Sequence, residues 1–173
     1  MKAKGIAILM ALFLLPAVTM AEVHVYANDG DYIGIFLGME SNSTVIVYNP
    51  TMGLLLPIYT GHSIQASYEG KFRSESPYYT SEDCAGTPYL LGNGFYNSLV
   101  VTPDGNSFYH ASGALSSLTM RSNLDGSGSC SNGESTKMGR VATEYTDPLP
   151  FTYPIPFPLS FVEKKSAVVI PLN

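Results

Sequence analysis

Residues 22–37 read EVHVYA-NDGD-YIGIFL, two short runs rich in β-branched and aromatic side chains around Asn28, Asp29, Gly30 and Asp31. Runs of this kind suit a half-buried pleated surface, and the turn residues between them predict a β-hairpin. The same unit recurs along the chain. Residues 44–48 (TVIVY) meet the reversal Asn49-Pro50-Thr51-Met52-Gly53 and then residues 54–59. Residues 63–68 turn at Glu69-Gly70 into 71–74, and Gly92-Asn93-Gly94 separates 89–91 from 95–102. Pro103-Asp104-Gly105-Asn106, leading into 107–111, is the clearest hairpin signal, because Asp-Gly accepts the positive φ angles of a tight reversal. Residues 114–122 form a further candidate strand, and 123–133 (NLDGSGSCSNG) read as a flexible Gly/Ser/Asn loop tethered by Cys130. Beyond the N-terminal segment no window sustains the i, i+3, i+4, i+7 apolar spacing of a helix. About ten short strands at this spacing predict an all-β fold, an antiparallel β-sandwich or a partly open barrel.

The N-terminus has a different character. Lys2 and Lys4 precede an unbroken apolar run over residues 6–15, then Pro16, with the small residues Thr19 and Ala21 before Glu22. That is the three-part pattern of a secretory signal, cut after Ala21. A membrane anchor needs about 20 apolar residues, and Pro16 and Thr19 interrupt the run too early for one. The expectation is a signal peptide over 1–21 and a single all-β domain over 22–173, exported to the periplasm or outside the cell, with no transmembrane helix in the mature chain. Taking 21 residues from 173 leaves 152, enough for a real core. Setting Lys2 and Lys4 aside from the nine basic residues leaves seven against fourteen acids, a formal charge of −7. A nucleic-acid partner requires a basic footprint that this balance does not supply. The doublet Lys164-Lys165 reads as a solvated surface pair.

Cys84 and Cys130 are the only cysteines, so one pairing is possible. An oxidising compartment makes a disulfide the expectation. It closes a loop of about 45 residues, worth about 3–4 kcal/mol on the chain-entropy model.

The segment 149–161 alternates strictly. Leu149, Phe151, Tyr153, Ile155, Phe157, Leu159 and Phe161 fall on odd positions, while Pro150, Pro154, Pro156 and Pro158 fall on even ones. In an extended chain the large side chains share one face and the prolines remove donors from one edge. The spacing therefore predicts that the Pro-rich segment 148–161 is an edge strand capped against further strand addition, rather than a polyproline ligand.

Candidate chemistry is sparse. His24, His62 and His110 lie far apart, with none of the local spacing of a metal site. Ser63 beside His62 and Ser112 near His110 are compatible with a Ser–His–acid arrangement but do not diagnose one, and no G-x-S-x-G elbow is present. Asn28-Asp29-Gly30-Asp31 lacks the spaced acids of an EF-hand loop, so a plain turn is its simpler reading. Glu82-Asp83 beside Cys84 reads as a solvated turn. Asn42-Ser43-Thr44 fits a glycosylation acceptor, which matters only in a eukaryotic secretory pathway. No catalytic residue, cofactor or metal ligand is assigned.

Two segments carry a resemblance. Residues 78–89 (YYTSEDCAGTPY) and 25–34 (VYANDGDYIG) resemble small exported bacterial proteins of uncharacterised function, in which an aromatic-rich strand leads into a D-C-x-G-T-x-Y turn and a second cysteine follows downstream. The resemblance implies export and the Cys84–Cys130 bridge, and no activity or site residue. The expected function is that of a non-catalytic exported β domain, a surface, assembly or binding module with a protein or cell-surface partner. Ranked below it are a small secreted hydrolase using separated His, Ser and acid residues, and then an eight-stranded outer-membrane barrel. The prolines at 148–158, the disulfide and a C-terminus (AVVIPLN) without an aromatic ending weigh against the barrel.

Overall fold

The computed structural model describes residues 20–60, 70–92 and 96–166. The opening hairpin forms as β1 (Met20–Tyr26) and β2 (Tyr32–Ser41), followed by β3 (Thr44–Asn49) and β4 (Leu54–Tyr59). Short strands β5 (Tyr78–Tyr79), β6 (Pro88–Leu91) and β7 (Leu99–Val101) precede a long ribbon of β8 (Phe108–Leu124) and β9 (Cys130–Glu144), and β10 (Ser160–Ser166) ends the described chain. These ten elements make two five-stranded sheets, ordered β10-β1-β2-β3-β4 and β5-β6-β9-β8-β7. The ladders between named strands are all antiparallel. The architecture is an all-β sandwich carrying one disulfide.

Period-two patterning builds the core. Val45 lies opposite Ile58 and Val47 opposite Leu56, so β3 and β4 present four apolar side chains inward together. Val25 and Ile33 join them from the same sheet, and Leu99 and Val101 meet them from β7. Each such side chain, fully buried, contributes about 1.5–3 kcal/mol. Phe72 sits where the sheets meet, 1% exposed. Its ring contacts Phe108 and Phe151 edge-on at 6.0 and 6.2 Å and Tyr153 at 4.8 Å.

The expected edge strand over 148–161 does not form. Only its last two residues enter a ladder, as the start of β10, and the edge position belongs to Ser160–Ser166 against β1. Four prolines deprive residues 149–159 of amide donors, and two of the remaining N–H groups find partners outside any ladder: Ile155 N–H donates to Gly70 O (2.9 Å) and Thr152 N–H to Asp31 Oδ2 (2.9 Å). The alternation still decides which side chains go inside. Phe151 and Ile155 are buried, and Leu149, Tyr153, Phe157 and Leu159 pack against the same core. The segment is a strap across the core, not a rung of either sheet.

The second sheet departs from expectation in two further ways. Residues 108–111 of the expected strand 107–111 and all of 114–122 belong to one strand, β8, with a register shift between Ser112 and Ser116. The expected loop 123–133 is a tight hairpin in which Asp125 Oδ1 accepts from Ser127 N–H and Ser129 N–H at 2.8 and 3.0 Å. Of the remaining expected strands, residues 71–74 make only the isolated bridges Phe72↔Ile58 and Ser74↔Val101, and 63–68 lie outside the described residues.

This sheet also curls. β5 pairs with β6 and with β8, β6 pairs with β9, and β9 pairs with β8, so the ladders close into a circuit. A second cluster of Leu90, Val100, Ala111 and Ala142 forms on this sheet, with Tyr109 packed on it. Gly139 leaves room there for Met120, whose Cε lies 3.0 Å from where a Cβ would stand. Tyr109 and Tyr79 are hydrogen-bonded to each other, and burial above all, with Tyr79 and Glu144 nearby, pushes the Tyr109 phenol up to about 12.

Two outcomes follow from this packing. Gly70 holds φ +75°, and a Cβ there would overlap the carbonyl of Ile155. Gly70→Ala should cost about 1–3 kcal/mol in a guanidinium unfolding titration. Gly133→Ala, at a site open to solvent with no positive φ, should stay within about 0.5 kcal/mol. The raised phenol of Tyr109 stabilises the fold fully below its unfolded value of about 10, and that contribution is lost as pH rises from there through about 12. Thermal melts across this interval should fall less steeply for Tyr109→Phe than for the parent chain.

Candidate functional site

Three surface features gather polar or apolar groups in a way the bare sandwich does not require. The first is the corner closed by the disulfide. Residues 80–87 link β5 to β6, and Cys84 in this turn bonds Cys130, the first residue of β9, with a Cα–Cα distance of 5.7 Å. That separation is ordinary for a disulfide. Asp83 and Cys84 both hold positive φ, at 63° and 53°. Side chains from the ribbon keep them there. The buried Ser122 hydroxyl accepts from Cys84 N–H (2.9 Å) and donates to Ser81 O (2.8 Å). Asn132 accepts from Asp83 N–H at 3.2 Å and donates to the Asp83 carboxylate at 3.3 Å. Within the turn, Ser81 donates to Ala85 O.

The second is a polar-aromatic cluster on the first sheet, built from β1, β2 and β10. His24 and Tyr32 have ring centroids 5.3 Å apart, and Tyr26 and Tyr32 5.5 Å. Lys164 stands 5.9 Å from the Tyr26 ring, and Glu22 lies 3.4 Å from His24 Nε2. The register explains the grouping: Glu22 faces Lys164, and Tyr26 faces Tyr32. Burial raises the Tyr32 phenol, with Tyr26 and Glu22 adding to the effect and Lys164 opposing it.

The third is a groove of about 390 Å³ lined by Met39, Val45, Thr60, Phe157, Pro158, Leu159 and Phe161. Phe161 and Met39 are about half exposed. The groove therefore brings strand β2 together with the end of the proline strap and the start of β10. Apart from Thr60 its walls are apolar. On the neighbouring surface Arg73 and Glu40 form an ion pair.

The residues singled out in sequence do not converge. His24 lies on the first sheet and His110 on β8 of the second, while His62 and Ser63 fall outside the described residues. His110 Nδ1 is buried with no hydrogen-bond partner among the described residues, and burial lowers its pKa. Ser112 shares β8 with His110, opposite Val141. Asn28–Asp31 is a reversal closed by Ala27 N–H to Asp31 O at 2.9 Å, and Asp31 also anchors the strap through Thr152. Among the described residues no three His, Cys, Asp or Glu side chains form a group that could hold a metal ion. Ser122 and Asn132, which fix the disulfide corner, had no signal in sequence, since they stand 38 and 49 residues from the atoms they bind.

No family model, curated protein or solved structure matches the chain.

Replacing Ser122 by Ala strands Cys84 N–H and Ser81 O without a partner. The variant should lose about 1–3 kcal/mol in a urea titration with the disulfide intact.

Proposed function

We propose that this chain is exported, loses residues 1–21, and acts in the periplasm or outside the cell as a non-catalytic binding or assembly module. A disulfide supports an oxidising compartment, and Lys2, Lys4 and the apolar run 6–15 support the leader.

The observation that carries the binding reading is the groove at Met39, Val45, Phe157, Leu159 and Phe161. A sandwich of this size has enough apolar material to fill its interior, yet here large side chains stay part-exposed around a concavity. Part-exposed apolar side chains grouped around a concavity support an interaction site here. The strap supplies Phe157, Pro158 and Leu159, three of the seven lining residues, and is anchored at Gly70 and Asp31, so the concavity is preformed. Preformed apolar concavities with few polar groups are where ligands and partner side chains are received.

A photo-reactive benzophenone side chain placed at position 39 should give one discrete adduct when the protein is made in its secretion host. The same group at position 138, an exposed methionine on the ribbon, should give none. A smear of adducts shared by both positions, or silence at 39, would remove the groove as the working surface.

A further inference from the structure

Cys84 and Cys130 are joined beside a set of contacts that tie the same two segments together. Strand β5 pairs directly with β8 through Tyr79↔Ser122, and Cys130 itself pairs with Leu124. The Ser122 hydroxyl bonds both Cys84 N–H and Ser81 O, and Asn132 bonds Asp83 at its amide and its carboxylate. Apart from Asn132 Oδ1, which also lies 3.8 Å from Cys130 Sγ, none of these contacts involves sulfur. They tie the turn at 80–87, with its left-handed Asp83 and Cys84, to β8 and β9 by hydrogen bonds that are separate from the sulfur–sulfur bond. The bridge also lies at the surface. Cys130 is exposed and Cys84 half-buried, and neither belongs to either apolar cluster.

Thiol–disulfide exchange needs access to a sulfur for opening, and it needs the two thiols held close together for re-closure. This corner provides both. We propose that Cys84–Cys130 is a site of reversible thiol–disulfide exchange in the folded protein, with a dithiol as its reductant. The exposed Cys130 Sγ is the sulfur attacked. A thiolate of the dithiol bonds to it, the Cys84–Cys130 bond breaks, and Cys84 leaves as a thiolate that takes up a proton. The second thiol of the reductant then attacks the mixed disulfide, releasing Cys130 as a thiol and closing the reductant into a cyclic disulfide. Two electrons pass from the dithiol to the cystine. A disulfide such as oxidised glutathione reverses the balance, taking up the two electrons while Cys84 and Cys130 close again. The proposal is independent of what the groove binds.

The test uses the purified, oxidised protein without denaturant. Dithiothreitol is added, thiols are trapped with iodoacetamide at intervals, and intact mass is followed beside near-ultraviolet circular dichroism, which reports the tyrosines. Both cysteines should become alkylated while the tyrosine signal stays in place. In an untrapped sample moved into oxidised glutathione, the bridge should re-form completely. Asn132→Ala, a change at an exposed residue, should re-close several-fold more slowly, while Ser112→Ala, elsewhere on β8, should match the parent. Ser122→Ala, if it folds, should behave as Asn132→Ala does. Alkylation that appears only as the tyrosine signal disappears would overturn the proposal, because the bond would then open by unfolding. Equal re-closure rates for Asn132→Ala and the parent would overturn it too, because the thiols would not be held by these contacts.

Discussion

A segment that must be buried but cannot join a ladder sets the form of this molecule. Residues 149–159 carry six large apolar side chains on alternate positions and four prolines between them. The side chains need a core, and the prolines forbid regular pairing. The segment resolves the conflict by lying over the sandwich as a strap, with Phe151 and Tyr153 closing on Phe72 and Ile155 seated beside Gly70. The rings of Phe72, Phe108 and Tyr153 then stack as a knot between the sheets, Phe108 meeting Tyr153 edge-on at 5.0 Å. Aromatic pairs in this arrangement add specificity of orientation beyond the area they bury. The groove at Met39 and Phe161 is a by-product of the same conflict, since the strap turns into β10 before it has covered that end of the core.

The second sheet answers a different problem. Its long ribbon is polar on much of both faces, and a straight ribbon of that kind buries too little to stand alone. Curling lets β5 pair on two sides and wraps Leu90, Val100, Ala111 and Ala142 into a small core of their own. The curl brings the ribbon tip back over the turn before β8, where the Asp104 carboxylate lies against Gly128, close enough that a Cβ there would sit 2.8 Å from Oδ2. Gly128 also holds φ +78°, so glycine is required twice over at that point.

Strands β1 to β4 of the first sheet were legible because strong turn residues bound them and they alternate cleanly. The fifth strand of that sheet, β10, was not read as a strand beyond residue 161. The reversals at Asn28–Asp31 and Asn49–Gly53 fall between β1 and β2 and between β3 and β4. The turn at 103–106 likewise joins β7 to β8, with Val101 opposite Phe108. Strand β9 was not legible. Ser131, Asn132, Gly133 and Glu134 carry no apolar signal because most of β9 faces solvent on both sides, and a run of small polar residues reads as a loop when only its chemistry is visible. The strap was half legible: alternation told which side chains turn inward, but it could not tell a ladder from a solitary extended chain. The pairing of Cys84 with Cys130 needed no geometry, there being no other choice. The contacts that hold that corner come from Ser122 and Asn132, and only the fold brings them within reach.

The first strand begins at Met20, and its pairing with β10 places Ala21 opposite Lys165 and Glu22 opposite Lys164. The proposed processing bond therefore lies inside a hydrogen-bonded ladder of the finished sheet. A peptidase must thread its substrate in extended form through its own cleft, and a peptide already paired to a neighbour is closed to it. Under the proposed cleavage after Ala21, the cut would have to precede docking of the C-terminal strand, because the finished ladder would shield that bond.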